Sequence, residues 1–278
     1  MKQRVISALV ALCVLVMVLF FYNTIVFNAA IAIISMVAVF ELLCATKYVS
    51  SRVMVLVSLV YAAVVPFFGT VSMARFPIYV TLGYFVILFA ILLFQHTKVQ
   101  FEELTVAFFV SLVVPLGFSI LVYIRDHYDH GLFYTLLVCV AAWVADSAAY
   151  FVGRSFGKHK LCPLISPHKT VEGAIGGVFF AVVFFLLFCW GYSLFRENQG
   201  ILVHISYGAA AFDGAFCAVI GIVGDLMASV IKRQRGIKDF GNIMPGHGGV
   251  MDRFDSFLFV APTLYLILQV FPIVTTLV

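Results

Sequence analysis

Pro77-Ile-Tyr-Val-Thr-Leu-Gly-Tyr-Phe-Val-Ile-Leu-Phe-Ala-Ile-Leu-Leu-Phe94 runs for 18 residues without one charged side chain. A helix needs about 20 mostly apolar residues to cross a bilayer. This stretch meets that length, and it is not alone. Comparable apolar runs fall at 5–21, 25–45, 53–70, 104–124, 131–153, 172–194, 207–231 and 256–277, nine in all. The whole chain of 278 residues is 64% hydrophobic and 11% charged, with mean hydropathy +1.13. Soluble domains carry about 25% charged residues. A water-soluble globular protein and a disordered one are both excluded. A β-barrel is excluded too, because its segments are short and alternating rather than long and continuous. The reading is an all-α, polytopic integral membrane helical bundle of about nine transmembrane helices.

The basic residues orient that bundle. With the N-terminus cytoplasmic, 14 of the 17 Lys and Arg fall on inner segments, and Arg75, Arg125 and Arg196 alone fall on outer ones. Such an imbalance is the positive-inside signal. The run after Met1–Arg4 lacks a clear small-x-small cleavage site, so it reads as an uncleaved first helix. The six cysteines form no CxxC pair and read as small apolar residues rather than a disulfide or zinc framework. The chain divides into residues 1–130, about five spans with little chemistry, and residues 131–278, a catalytic region with two polar cytoplasmic loops, 154–171 and 232–255.

Acids inside spans are costly in lipid and mark candidate sites. Four are present: Glu41, Asp146, Asp213 and Asp225. Glu41 sits near the inner end of its run and reads as an interfacial group. Asp213 reads equally as a structural hydrogen-bond partner or as something more. Asp225 lies seven residues before Lys232, about 10 Å along a helix, and Asp146 lies seven before Gly153. The two acids are therefore expected at matching depth on the cytoplasmic side. Gly214, Ala218, Gly221, Asp225, Ser229 and Lys232 are spaced to share one helical face. The small residues at its outer end suit close helix packing.

The loop that follows is basic and glycine-punctuated: Lys232-Arg233-Gln234-Arg235-Gly236-Ile237-Lys238-Asp239-Phe240-Gly241. As a plain topogenic cluster it would need nothing more. It continues, however, into Pro245-Gly246-His247-Gly248-Gly249 and Asp252-Arg253-Phe254-Asp255. Glycine-rich backbone approaches phosphate closely and presents N–H groups to it. Asp252 and Asp255 stand one turn apart at a helix start. Helix capping accounts for one such acid. Two acids with the buried Asp225 and nearby cations fit Mg²⁺, which takes oxygen ligands and bridges to substrate phosphates. In the other inner loop, Gly153-Arg154-Ser155-Phe156-Gly157-Lys158 falls one residue short of a P-loop and is not one. Ser166 or Thr170 is positioned to cap the seventh span. Lys169 at that helix start is disfavoured by the dipole unless an anion lies beside it.

The segment Ser229 to Asp255 resembles the signature of the phosphatidate cytidylyltransferases, also called CDP-diacylglycerol synthases. The matching positions are Ser229, Lys232, Arg233, Lys238, Asp239, Gly241, His247, Gly248, Gly249, Asp252, Arg253 and Asp255. Upstream, Asp146, Ala149, Tyr150, Gly153 and Gly157, then Ser166, Pro167, Lys169, Thr170, Glu172 and Gly173, also look like the family. Met244 stands where the family shows Leu, Ile or Phe, and His168 where many members have lysine. The first 130 residues match only in being spans.

The resemblance implies a reaction in which CTP and phosphatidate give CDP-diacylglycerol and pyrophosphate. It implies Mg²⁺, a second cation with K⁺ the candidate, and a homodimer in the bilayer. No nucleic-acid partner is expected. Asp225, Asp252 and Asp255 are assigned to metal binding and, with Lys232, to catalysis. Lys169, Arg233 and Lys238 are assigned to phosphates. Ser229, Asp239, His247, Gly248, Gly249 and Arg253 are assigned as further substrate contacts, and Asp146 as a second-cation or supporting partner. Two other classes compete: an ion or solute transporter using the intramembrane acids, and a CTP-dependent lipid-alcohol kinase. A bacterial chain of this kind is expected in the inner membrane with its site on the cytoplasmic side.

Overall fold

The computed structural model describes residues 2–70, 75–244, 246 and 248–276, with the backbone alone at 2–6, 8 and 276. Each of the nine apolar runs forms helix. In chain order these are α1 (Lys2–Phe20), α2 (Ile25–Ala45), α3 (Arg52–Val64), α4 (Phe76–Phe94) and α5 (Phe101–His127). There follow α6 (Gly131–Cys139), α7 (Ala145–Phe156), α8 (Val171–Asn198), α9 (Tyr207–Gln234), the single turn α10 (Met251–Phe254) and α11 (Phe257–Val270). Among the described residues, eight helical stretches are long and apolar enough to cross a membrane, and the described apolar part of α1, Leu9–Phe20, is shorter. The protein is an all-α polytopic membrane protein.

The structure departs from the sequence expectation in three places. The last apolar run ends as helix at Val270, not 277, and the chain turns back into a short strand, β4 (Val274–Thr276). That strand pairs antiparallel with β3 (Val203–Ile205), with Val203 opposite Thr276 and Ile205 opposite Val274. The first polar loop is not open coil. It folds into an antiparallel hairpin of β1 (Lys160–Cys162) and β2 (Ser166–Thr170). Finally, the sixth span is broken by a π-helical turn, Val140–Val144, which ends just before Asp146. Such insertions re-aim side chains and are common at functional sites.

The chain forms two compact units, Met1–Tyr123 with Ile231–Phe254, and Ile124–Val230 with Asp255–Val278. In the first unit α2 packs on α1, α3 and α10, and α3 packs on α4. Two of the polar groups buried there are paired inside the unit, as lipid favours. Asn28 donates to the Pro66 carbonyl at 2.8 Å, and the Ser58 and Tyr84 hydroxyls meet at 2.8 Å. Helix α4 is apolar all round, and Phe94 is 90% exposed, which marks a lipid-facing surface.

In the second unit the close contacts run through small residues. Ala145, Ala181 and Ala218 form a buried cluster joining α7, α8 and α9. A Cβ on Gly173 would meet the Ala149 carbonyl at 2.6 Å, so α8 touches α7 backbone to backbone. Gly214 lies on the Phe185 ring, and Gly221 lies against Val260 and Ser256 of the last span. The small outer face predicted for α9 is thus the one that its neighbours occupy.

Candidate active site

The second unit assembles Asp225, Lys169, Asp146 and Asp255. Helix α8 begins where α9 nears its end, and there Lys169 forms an ion pair with Asp225. This resolves the lysine's position against the helix dipole, because the carboxylate of α9 supplies the anion. Of the two candidate caps, Thr170 is the one used. Its backbone is extended and its Oγ1 accepts from Gly173 N at 3.1 Å. Glu172 in the same first turn accepts from the N–H groups of Lys158 and His159 and from His159 Nδ1, at 2.6 Å for the ring nitrogen. The hairpin carrying Lys169 is thereby tied to the helix that follows it.

Helix α9 meets the last span through Gly224, where a Cβ would lie 3.1 Å from the Asp255 carbonyl and 2.7 Å from the Phe259 ring. Only glycine allows that approach, and it brings the neighbour of Asp225 onto Asp255. Asp255 falls at the break between α10 and α11, is buried, and accepts from Ser256 N at 2.8 Å. Ser256 Oγ donates to Asp146 Oδ2 at 3.3 Å. Asp146, Ser256 and the Gly221–Asp225 turn of α9 therefore converge. Ser229, one turn beyond Asp225, is buried.

The first unit assembles the glycine-rich loop. Helix α9 stops at a left-handed Gly236 (φ 65°), with Ile237 N bonding to Lys232 O and Gly236 N to Arg233 O. This paired closure caps the last carbonyls and reverses the chain immediately after the basic run. Lys232 Nζ donates to Asp252 Oδ1 at 2.7 Å, and both side chains are nearly buried. Asp252 Oδ2 accepts from Phe240 N at 2.8 Å and Gly249 N at 3.0 Å. One carboxylate thus joins the helix end, the outgoing strand of the loop and the returning one. Lys232 also lies 5.2 Å from the Phe240 ring centre. The returning strand turns at Gly248 (φ 87°), next to Asp252 and Asp239. Arg233, Lys238, Asp239 and Arg253 are exposed. His247 lies outside the described residues.

Three contributors had been given no role at the site. Glu41 is 3% exposed, and its carboxylate accepts from Val250 N at 3.0 Å and Met251 N at 2.8 Å. Read from the sequence only as an interfacial group, this acid binds the backbone of the loop. Its one sequence signal was a lone acid in an apolar run. Tyr48 lies under the Arg235 guanidinium at 3.2 Å to the ring centre, and Glu172 binds the hairpin as described. Asp213 is the reverse case. It is fully buried, and neither carboxylate oxygen has a hydrogen-bond partner among the described residues. Among the described residues it is not the structural hydrogen-bond partner that its position allowed.

Within neither unit do the described residues gather three His, Cys, Asp or Glu side chains as a ready metal cluster. The donor chemistry nevertheless suits Mg²⁺, being all carboxylate oxygen. An ionised carboxylate offers about four acceptor positions. Asp252 has three engaged, by Lys232, Phe240 and Gly249. It would reach a cation through Oδ1. Lys169 engages Asp225 through Oδ2.

A membrane helical bundle whose one unit pairs Lys169 with Asp225 near Asp255, and whose other pairs Lys232 with Asp252 at a glycine loop, has in each the parts of a phosphoryl- or nucleotidyl-transferring enzyme. The chain belongs to the Cytidylyltransferase family, which it matches over residues 2–271. It is 36% identical to the phosphatidate cytidylyltransferase of Bacillus subtilis (strain 168) over 283 aligned residues, 98% of each chain. It is 38% identical to the phosphatidate cytidylyltransferase of Staphylococcus aureus (strain COL) over 172 residues, 62% of each chain. The corresponding Staphylococcus haemolyticus (strain JCSC1435) protein is 37% identical over the same share.

Proposed function

We propose that the protein transfers the cytidylyl group of CTP to phosphatidate, giving CDP-diacylglycerol and pyrophosphate. A phosphatidate oxygen attacks the CTP α-phosphorus. The bond from that phosphorus to the bridging oxygen of the β-phosphate breaks, and pyrophosphate leaves with the electron pair. The nucleophile is already an oxyanion, so no strong base is required. The barrier lies in joining two anions and in stabilising the leaving group, which positioning and fixed charge address.

The observation that carries this reading is the pairing of the signature's acids with its cations, Lys169 with Asp225 and Lys232 with Asp252. In each couple the ammonium is held where a phosphate oxygen would take the place of a carboxylate oxygen. Arg233 and Lys238 are exposed and would meet the triphosphate from the aqueous side. The backbone of Gly248 and Gly249 would lie along it. Asp225, Asp252 and Asp255 are assigned to Mg²⁺ from the family signature and their carboxylate chemistry, and the ion would neutralise phosphate charge in the transition state. Asp146 would support that group or take a second cation such as K⁺. Similarity over nearly the whole length of the Bacillus subtilis enzyme supports the same substrates. The site is assigned to the cytoplasmic face by the distribution of Lys and Arg, and a homodimer is proposed from the family alone.

The test is the purified protein in mixed micelles with phosphatidate, CTP and Mg²⁺. Pyrophosphate and a nucleotide-linked lipid should form in equal amounts. Release of CDP instead would make the protein a lipid kinase. Flux across proteoliposomes without nucleotide would make it a transporter.

A further inference from the structure

We infer that Glu41, on a span the signature does not reach, is a positioning residue that holds the glycine-rich loop in its working shape; the inference rests on the transfer reaction proposed above. Its carboxylate receives two consecutive backbone N–H groups, Oε1 from Val250 and Oε2 from Met251, immediately ahead of Asp252. The same carboxylate is pressed between two glycines of the loop. A Cβ on Gly249 would lie 2.5 Å from Oε2, and one on Gly241 would overlap Oε1. The loop therefore lacks side chains at the two places where Glu41 enters it.

The loop is thus fastened by two acids with different tasks. Asp252 binds Phe240 N, Gly249 N and Lys232. Glu41 fixes the two residues that lead into Asp252. A carboxylate with two acceptor oxygens satisfies both N–H groups at once. An amide does not, since its NH₂ would face one of them. Glu41 touches no reacting atom in this account; it acts by fixing where Asp252 and Lys232 stand. It also gives the N-terminal spans a task, because α2 carries it and α2 packs on α10.

The test compares the wild type with Glu41→Gln, Glu41→Asp, Gly249→Ala and the double variant Glu41→Asp/Gly249→Ala. Three readouts are used: transfer kinetics, the Mg²⁺ concentration giving half-maximal rate, and the rate of tryptic cleavage at the exposed Lys238. Glu41→Gln should lower kcat/KM by about 10–100-fold, the range for groups that orient ligands from behind. It should raise the Mg²⁺ half-saturation and speed cleavage at Lys238. Shortening the acid makes room for a methyl group, so the double variant should be more active and more protease-resistant than Gly249→Ala alone. Should Glu41→Gln not fold, that rescue decides the matter by itself. Wild-type kinetics, Mg²⁺ dependence and cleavage in Glu41→Gln would overturn the inference, as would a double variant no better than Gly249→Ala. A wild type without transfer activity would defeat the proposed reaction instead, and the cleavage rates would then judge Glu41 alone.

Discussion

Lys232 donates to Asp252 at 2.7 Å in a nearly buried ion pair, with the side chains 11% and 4% exposed. Both residues belong to the proposed site, so the pair joins stability to function. Breaking a buried pair from one side leaves a charge without its partner and costs about 3–5 kcal/mol. Lys232→Ala should lower the thermal midpoint in detergent and abolish transfer. Lys232→Met with Asp252→Asn removes both charges and should recover most of the midpoint while remaining inactive. Recovery of activity in that double variant would remove the pair from the chemistry.

Thr170 and Gly173 set the start of α8 and with it the position of Lys169. Loss of the cap in Thr170→Ala should cost about 1 kcal/mol, and Thr170→Ser should restore it. Gly173→Ala should be more severe, because its Cβ would strike the Ala149 carbonyl at 2.6 Å and push α8 from α7. Thermal unfolding with parallel CTP kinetics checks the order: wild type and Thr170→Ser first, Thr170→Ala next, Gly173→Ala last.

Asp213 has no hydrogen-bond partner for either oxygen among the described residues. Removing a polar group that is buried without a partner loses no bond and relieves its desolvation, worth about 1–3 kcal/mol. Asp213→Ala should therefore leave the thermal midpoint unchanged or raised, with normal transfer activity. A large loss of stability would show that the carboxyl has a partner that this account omits.

Much of this arrangement was legible in the sequence. The spans follow from apolar length alone, and Asp225, Lys232 and Asp252 stood out as charges at fixed spacing beside glycine turns. Thr170 was readable as a cap because its side chain precedes an apolar run. Glu41 was not readable as a loop anchor, since its partners are the backbone amides of Val250 and Met251, more than 200 positions away and without a side-chain signature. The β3–β4 pairing was hidden for a similar reason: Val203–Ile205 and Val274–Thr276 are too short to show a strand period. The π turn before Asp146 leaves no mark in an apolar run, because Val140–Val144 reads as ordinary helix.

The central claim is that Asp225 parts from Lys169 to take a divalent cation together with the CTP phosphates. It is tested most directly by counting bound Mn²⁺, in place of Mg²⁺, by electron paramagnetic resonance on the purified protein with CTP. Wild-type protein should bind Mn²⁺ more tightly with CTP than without it, and Asp225→Asn, folded to the same thermal midpoint or higher, should lose that gain. Equal CTP-dependent Mn²⁺ binding by the wild type and Asp225→Asn would contradict the claim.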